Sequence, residues 1–167
     1  MRKRTGNASP TSKETRFEIA GRALAAARSR NRKVESGGSG CPILVEGRKD
    51  IEALRQLGFS GPIELVNRGW DRSRLVAYLF ETYGSRNPVD GASALILLMD
   101  WDRTGGRLQN ELGSRLKSMD IKIDEETRMY LIRSLKQEGK TIEGLAPHAS
   151  ELLWFIDEFD PLDDDSD

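Results

Sequence analysis

The 167-residue sequence predicts an α/β fold: a four-stranded parallel sheet flanked by helices, with an N-terminal helix before it and a helical extension after it. Three observations carry this. Short apolar runs alternate with stretches of helical periodicity, in an order that requires right-handed crossovers. The run Ala94–Met99 is apolar at every position, as in a strand covered on both faces. Glycines and turn clusters punctuate the periodic stretches.

The elements follow in order. From Ser12 to Lys33, Phe17, Ala20, Leu24 and Ala27 recur at helical spacing among arginines. Ser36-Gly-Gly-Ser-Gly40 then predicts a hinge or linker. Pro42–Val45 is a first buried strand, and Asp50, Ile51, Leu54 and Leu57 mark a helix stopped by Gly58. Pro62–Val66 is a second strand. Asp71 or Ser73 can cap a helix that turns Leu75, Val76, Leu79, Phe80 and Tyr83 inward as far as Gly84. Arg86–Gly91 is a turn cluster, and Ala94–Met99 the third strand. Thr104 can cap a helix with Leu108, Leu112, Leu116 and Met119 on one stripe. Ile121–Ile123 is a short fourth strand. Helices are expected over 124–137 and 141–159, with a break near Pro147. Three segments result: residues 1–40 with the basic helix and glycine linker, 41–123 with the sheet, and 124–167 with helices and an acidic tail.

Composition narrows the class. The one cysteine, Cys41, excludes a disulfide scaffold and a cysteine-based zinc site within the chain and suits a reducing compartment. No apolar stretch approaches the roughly 20 residues of a membrane helix. The basic residues after Met1 precede no apolar run, so no secretory signal is expected. A cytoplasmic protein is the expectation. The net charge of −1 hides an asymmetry, because residues 1–40 carry ten Lys or Arg against three acids. Such an arm suits contact with a polyanion, or folding back onto the acidic tail.

In parallel sheets, functional groups collect beyond the carboxyl ends of the strands. Glu46-Gly-Arg-Lys-Asp50 follows the first strand and Asp100-Trp-Asp102-Arg-Thr-Gly105 the third. If those strands are neighbours, as in flavodoxin-like order, Glu46, Asp100 and Asp102 converge. Two carboxylates about 4 Å apart repel by roughly 4 kcal/mol at an effective dielectric of 20. A hard divalent cation relieves this, and Mg²⁺ suits oxygen donors without histidine. Asp50 and Thr104 could instead serve only as helix caps. Arg48, Lys49, Arg68, Arg72, Arg103 and Arg107 surround the strand ends and could hold phosphates. Trp70 and Trp101 could stack on bases or pack in the core.

Ile43-Leu-Val-Glu-Gly-Arg-Lys-Asp50 and Leu95-Ile-Leu-Leu-Met-Asp-Trp-Asp-Arg-Thr-Gly105 resemble the two signatures of the Toprim domain. That domain is shared by topoisomerases, bacterial-type primases, some nucleases and small stand-alone archaeal proteins. The resemblance covers residues 41–123 and looks most like the small primase-like archaeal group, similar to a ribonuclease that matures ribosomal RNA. It implies that Glu46 is the general acid/base and that Glu46, Asp100 and Asp102 hold Mg²⁺, or Mn²⁺, as two ions. Of the basic residues around the strand ends, Arg48, Lys49, Arg68, Arg103 and Arg107 are the candidate phosphate contacts. Strand passage needs a tyrosine on a separate domain, and priming needs a zinc module. The expected function is therefore phosphodiester cleavage of RNA or structured DNA. The alternative is a non-catalytic, metal-containing nucleic-acid or ribonucleoprotein binding module. Asp100-Trp-Asp-Arg-Thr104 also spells the opening motif of haloacid-dehalogenase-type phosphatases, but there the motif follows the first strand.

Overall fold

The computed structural model describes residues 12–162. Four parallel strands, β1 (Ile43–Val45), β2 (Ile63–Leu65), β3 (Leu95–Leu97) and β4 (Ile123–Asp124), form one sheet in the order β2-β1-β3-β4. The strands are shorter than the apolar runs that announce them. β4 also sits later than the expected Ile121–Ile123, because Ile123 pairs with Leu95 and Asp124 with Ile96. Helices α2 (Arg48–Gln56), α3 (Arg72–Tyr83) and α4 (Arg103–Ser118) are the crossovers.

Alternation along each strand divides the core in two. Ile43, Val45, Ile96 and Leu98 face α2 and the terminal helices α1 (Lys13–Asn31), α5 (Glu126–Leu135) and α6 (Ala149–Phe159). Leu44, Leu95, Leu97 and Met99 face α3 and α4, meeting Leu75, Leu79, Leu112 and Leu116. Pro147 falls in a 3-10 turn, Glu143–His148, which leads into α6. Among the described residues, no helix is long and apolar enough to cross a membrane.

The ends of the chain depart from expectation. α1 is a packed helix rather than a detached arm: Phe17, Ala20, Leu24 and Ala27 are buried. A Cβ on Gly21 would lie 2.4 Å from that of Phe155, so α1 and α6 approach at backbone distance. Its cations are neutralised by the protein's own acids. Lys13 pairs with Glu151, Arg16 with Glu138, Arg22 with Glu18, and Arg30 with Asp90. Arg28, 1% exposed, binds Asp160 at 2.7 Å and Asp157 at 2.9 Å, and its Nη1 donates to the Leu57 carbonyl. Arg32 shares Asp160. Residues 13–32 thus fold back onto acids of the chain, Arg28 and Arg32 onto Asp157 and Asp160 near its C-terminal end. Arg2, Lys3, Arg4 and the acidic stretch 163–167 lie outside the described residues.

The expected glycine linker is also a built turn. Ser39 and Cys41 amides both donate to the Arg30 carbonyl, and Gly40 donates to that of Arg32. Gly37 takes φ 97°, which an L side chain rarely adopts, and a Cβ on Gly38 would lie 2.0 Å from the Arg32 oxygen. The glycines serve fixed turn geometry here: a positive φ at Gly37 and Gly40 and close approach at Gly38.

Candidate carboxylate site at the strand ends

The sheet order makes β1 and β3 hydrogen-bonded neighbours, with Ile43 opposite Ile96 and Leu44 opposite Leu97. Glu46 and Asp100 therefore leave the sheet side by side. Glu46 Oε2 accepts the Asp100 amide at 3.0 Å. Asp100 Oδ1 accepts the Ile142 amide at 2.9 Å, from the segment leading into the 3-10 turn. Asp102 is the N-cap of α4, its Oδ1 accepting the Gly105 amide at 2.7 Å, a role expected of Thr104. Gly105 is required by contact: a Cβ there would lie 2.1 Å from the Asp100 carbonyl oxygen. The last glycine of the Asp-x-Asp-x-x-Gly motif thus lets the first turn of α4 press against the strand end.

A fourth carboxylate joins them. Asp50 is buried, and it accepts the Gly47 amide on Oδ2 and the Glu143 amide on Oδ1. It caps α2 and ties the C-terminal segment to the site. Burial pushes the Asp100 carboxyl up to about 7; the Ile142 amide opposes this, and the charges of Asp50, Glu46 and Asp102 add to it. Burial also raises Glu46, opposed by the Asp100 amide and Arg128 and reinforced by Asp50 and Asp102. Burial raises Asp50 as well.

Sequence reasoning missed Arg128. Its Nε donates to the Met99 carbonyl and its Nη2 to that of Asp100, both at 3.0 Å. The repulsion among the carboxylates is thus offset in part by an arginine. Reading past β4, as past the first and third strands, would have reached the first turn of α5 and found it.

The donors suit a hard cation. Glu46, Asp100 and Asp102 each spend one oxygen on a backbone amide. The second oxygen of each has no hydrogen-bond partner among the described residues, whereas Asp50 spends both. Three monodentate carboxylates match the chemistry of Mg²⁺ or Mn²⁺. Among the described residues, however, no three His, Cys, Asp or Glu side chains are gathered closely enough to form a ready-made metal cage.

The expected phosphate ligands separate. Arg48 and Lys49 are exposed in the first turn of α2, and Arg103 in that of α4. Arg107 lines a groove with Glu46. Arg68 is committed elsewhere: it donates to Glu64 and the Leu65 carbonyl, both at 2.7 Å, and stacks against Trp70 and Tyr78. That is a correction, because a buried glutamate on an edge strand takes up its charge. Trp101 packs, with Nε1 donating to the Gly139 carbonyl.

No family model matches the chain. It is 30% identical to a UPF0292 protein of Methanosarcina barkeri over 120 residues, which cover 71% of this chain and 76% of that one. A UPF0292 protein of Thermoplasma volcanium is 30% identical over 116 residues, 68% of this chain and 87% of its own. A solved structure of a protein from Aquifex aeolicus superposes with TM-score 0.52 at 23% identity, covering 72% of this chain and 93% of that one, which shows a shared fold. Identity at this level across most of the archaeal relatives' length places the chain in the UPF0292 protein family.

Proposed function

We propose that the protein is a Mg²⁺-dependent enzyme of the Toprim type that cleaves phosphodiester bonds in RNA or structured DNA. The observation that carries this reading is the Glu46 hydrogen bond to the Asp100 amide across neighbouring strand ends, with Asp102 capping the next helix. One crevice thereby collects both motifs. A bound Mg²⁺ or Mn²⁺, as one or two ions on Glu46, Asp100 and Asp102, would supply Lewis-acid polarisation of a phosphoryl oxygen. Glu46 is the proton acceptor, through the Oε1 that its amide contact leaves free. Asp50 and the amides of Ile142 and Glu143 hold the acids in place. Arg128 restrains their mutual repulsion from the side of α5. A cytoplasmic setting agrees with the reduced, buried Cys41.

A second reading is a metal-containing module that binds nucleic acid or a ribonucleoprotein without cleaving. Exposed Arg48, Lys49 and Arg103 beside the strand ends serve it, because they can hold phosphates without any chemistry at the carboxylates. One experiment separates the two: pure protein is incubated with mixed RNA and DNA substrates, with and without Mg²⁺ or Mn²⁺, beside Glu46→Gln. Metal-dependent cleavage that this variant loses supports the enzyme. Trace cleavage equal in both proteins leaves the binding module.

A further inference from the structure

Beside Glu46 a groove of about 430 Å³ opens between the β2–α3 loop and α4. Asn67 and Arg72 line one wall, and Thr104, Arg107 and Glu111 the other. Arg72 is the first residue of α3, and Thr104 lies in the first turn of α4. Two helix N-termini, each with partial positive charge, therefore border one cleft.

The arginines there are not used up by the fold. Arg72 Nε is buried with no hydrogen-bond partner among the described residues, and its nearest carboxylate oxygen, on Glu111, stands 3.6 Å away. The Arg72 side chain is 35% exposed and its Nε is held only by this long ion pair, so the guanidinium is open to a stronger acceptor in the cleft. Glu111 is shared with Arg115 at 3.5 Å, which draws its charge away from the cleft. Arg107 is exposed and makes no ion pair with a described residue. Asn67 and Thr104 add neutral donors.

We infer that this groove is a phosphate subsite for single-stranded nucleic acid, in which Arg72 and Arg107 hold the phosphate next to the one presented to Glu46 and Asp100. The inference rests on the reading above in taking the ligand as nucleic acid. The strand then runs along the carboxyl edge of the sheet, from the carboxylates to the β2–α3 loop. A groove of about 430 Å³ bordered by two arginines takes a phosphate and its sugar from one strand. Glu111 competes with the phosphate for Arg72.

The test is fluorescence anisotropy with labelled single-stranded DNA, single-stranded RNA and duplex DNA, each of about 12 nucleotides. The full chain is kept in EDTA, so that neither cleavage nor metal contributes. Arg72→Ala with Arg107→Ala weakens single-strand binding about tenfold or more. The salt slope falls by about 0.7 for each phosphate that is no longer neutralised. Arg107→Ala alone, at an exposed position, gives part of the effect with an unchanged melting temperature. Glu111→Gln tightens binding about twofold. Arg133→Ala, on the exposed face of α5, stays within twofold of wild type. Wild type that binds no single strand, prefers the duplex, or binds equally well without Arg72 and Arg107 overturns the subsite. Binding that depends on both arginines in a protein that neither takes up Mn²⁺ nor cleaves overturns the enzyme reading and leaves the subsite standing.

Discussion

Replacing Asp100 by Asn tests the electrostatics of the site at one atom. Asn keeps the oxygen that accepts the Ile142 amide and removes only the charge. Folding raises the Asp100 pKa from an ordinary 3.8 to about 7. The folded chain thus binds this proton more tightly than the unfolded one, and stability falls as pH rises from about 4 to about 7. Each pKa unit is worth about 1.36 kcal/mol, which sets a ceiling of about 4 kcal/mol. Asp100 keeps some contact with water, and screening reduces this to about 1–2 kcal/mol. At pH 8 in EDTA, Asp100→Asn is therefore the more stable protein by about 1–2 kcal/mol, or about 3–6 °C in melting temperature. At pH 4 the two converge. Millimolar Mn²⁺ raises the melting temperature of wild type and not of the variant. Thermal denaturation across pH, with and without Mn²⁺, reads all of this. A variant less stable than wild type at pH 8 refutes the argument that burial, reinforced by the neighbouring carboxylates, makes the Asp100 charge costly. Equal stabilisation of both proteins by Mn²⁺ refutes the ligand assignment.

Other outcomes are as definite. Glu46→Gln should lose metal-dependent cleavage by at least about a hundredfold, the lower end of general acid–base contributions, with single-strand binding in EDTA retained. Gly105→Ala forces a Cβ to 2.1 Å from the Asp100 carbonyl oxygen, and either α4 or the strand end must move. A cost of about 2 kcal/mol by denaturant titration is expected, together with weaker Mn²⁺ binding by calorimetry; a neutral substitution would show that the contact relaxes freely. Arg28→Ala leaves Asp160 buried with only Arg32 as counter-ion and should cost about 3 kcal/mol in the same titration. A loss below about 0.5 kcal/mol would mean that water reaches the pair.

The sequence alone determined the alternation of strands and helices, because a short all-apolar run such as Ala94–Met99, bounded by turn residues, is too short for a buried helix and fits a covered strand. Glu46 and Asp100 could be placed together only on the condition that the first and third strands are neighbours, which the sheet order β2-β1-β3-β4 supplies. The second face of each helix was not legible. Arg28 reads as a solvated cation until Asp160, 132 residues later, is folded against it. The glycines after Ser36 read as a linker until the Arg32 carbonyl is found against Gly38 and positive φ angles at Gly37 and Gly40. Thr104 and Asp102 are equally good caps by type, and hydrogen-bond geometry chose between them. Arg128, the Asp50 link to Glu143 and the orphan Nε of Arg72 depend on contacts between distant segments. Composition fixes how many charges the chain carries. Only tertiary packing decides which of them meet a partner within the protein and which remain for a ligand.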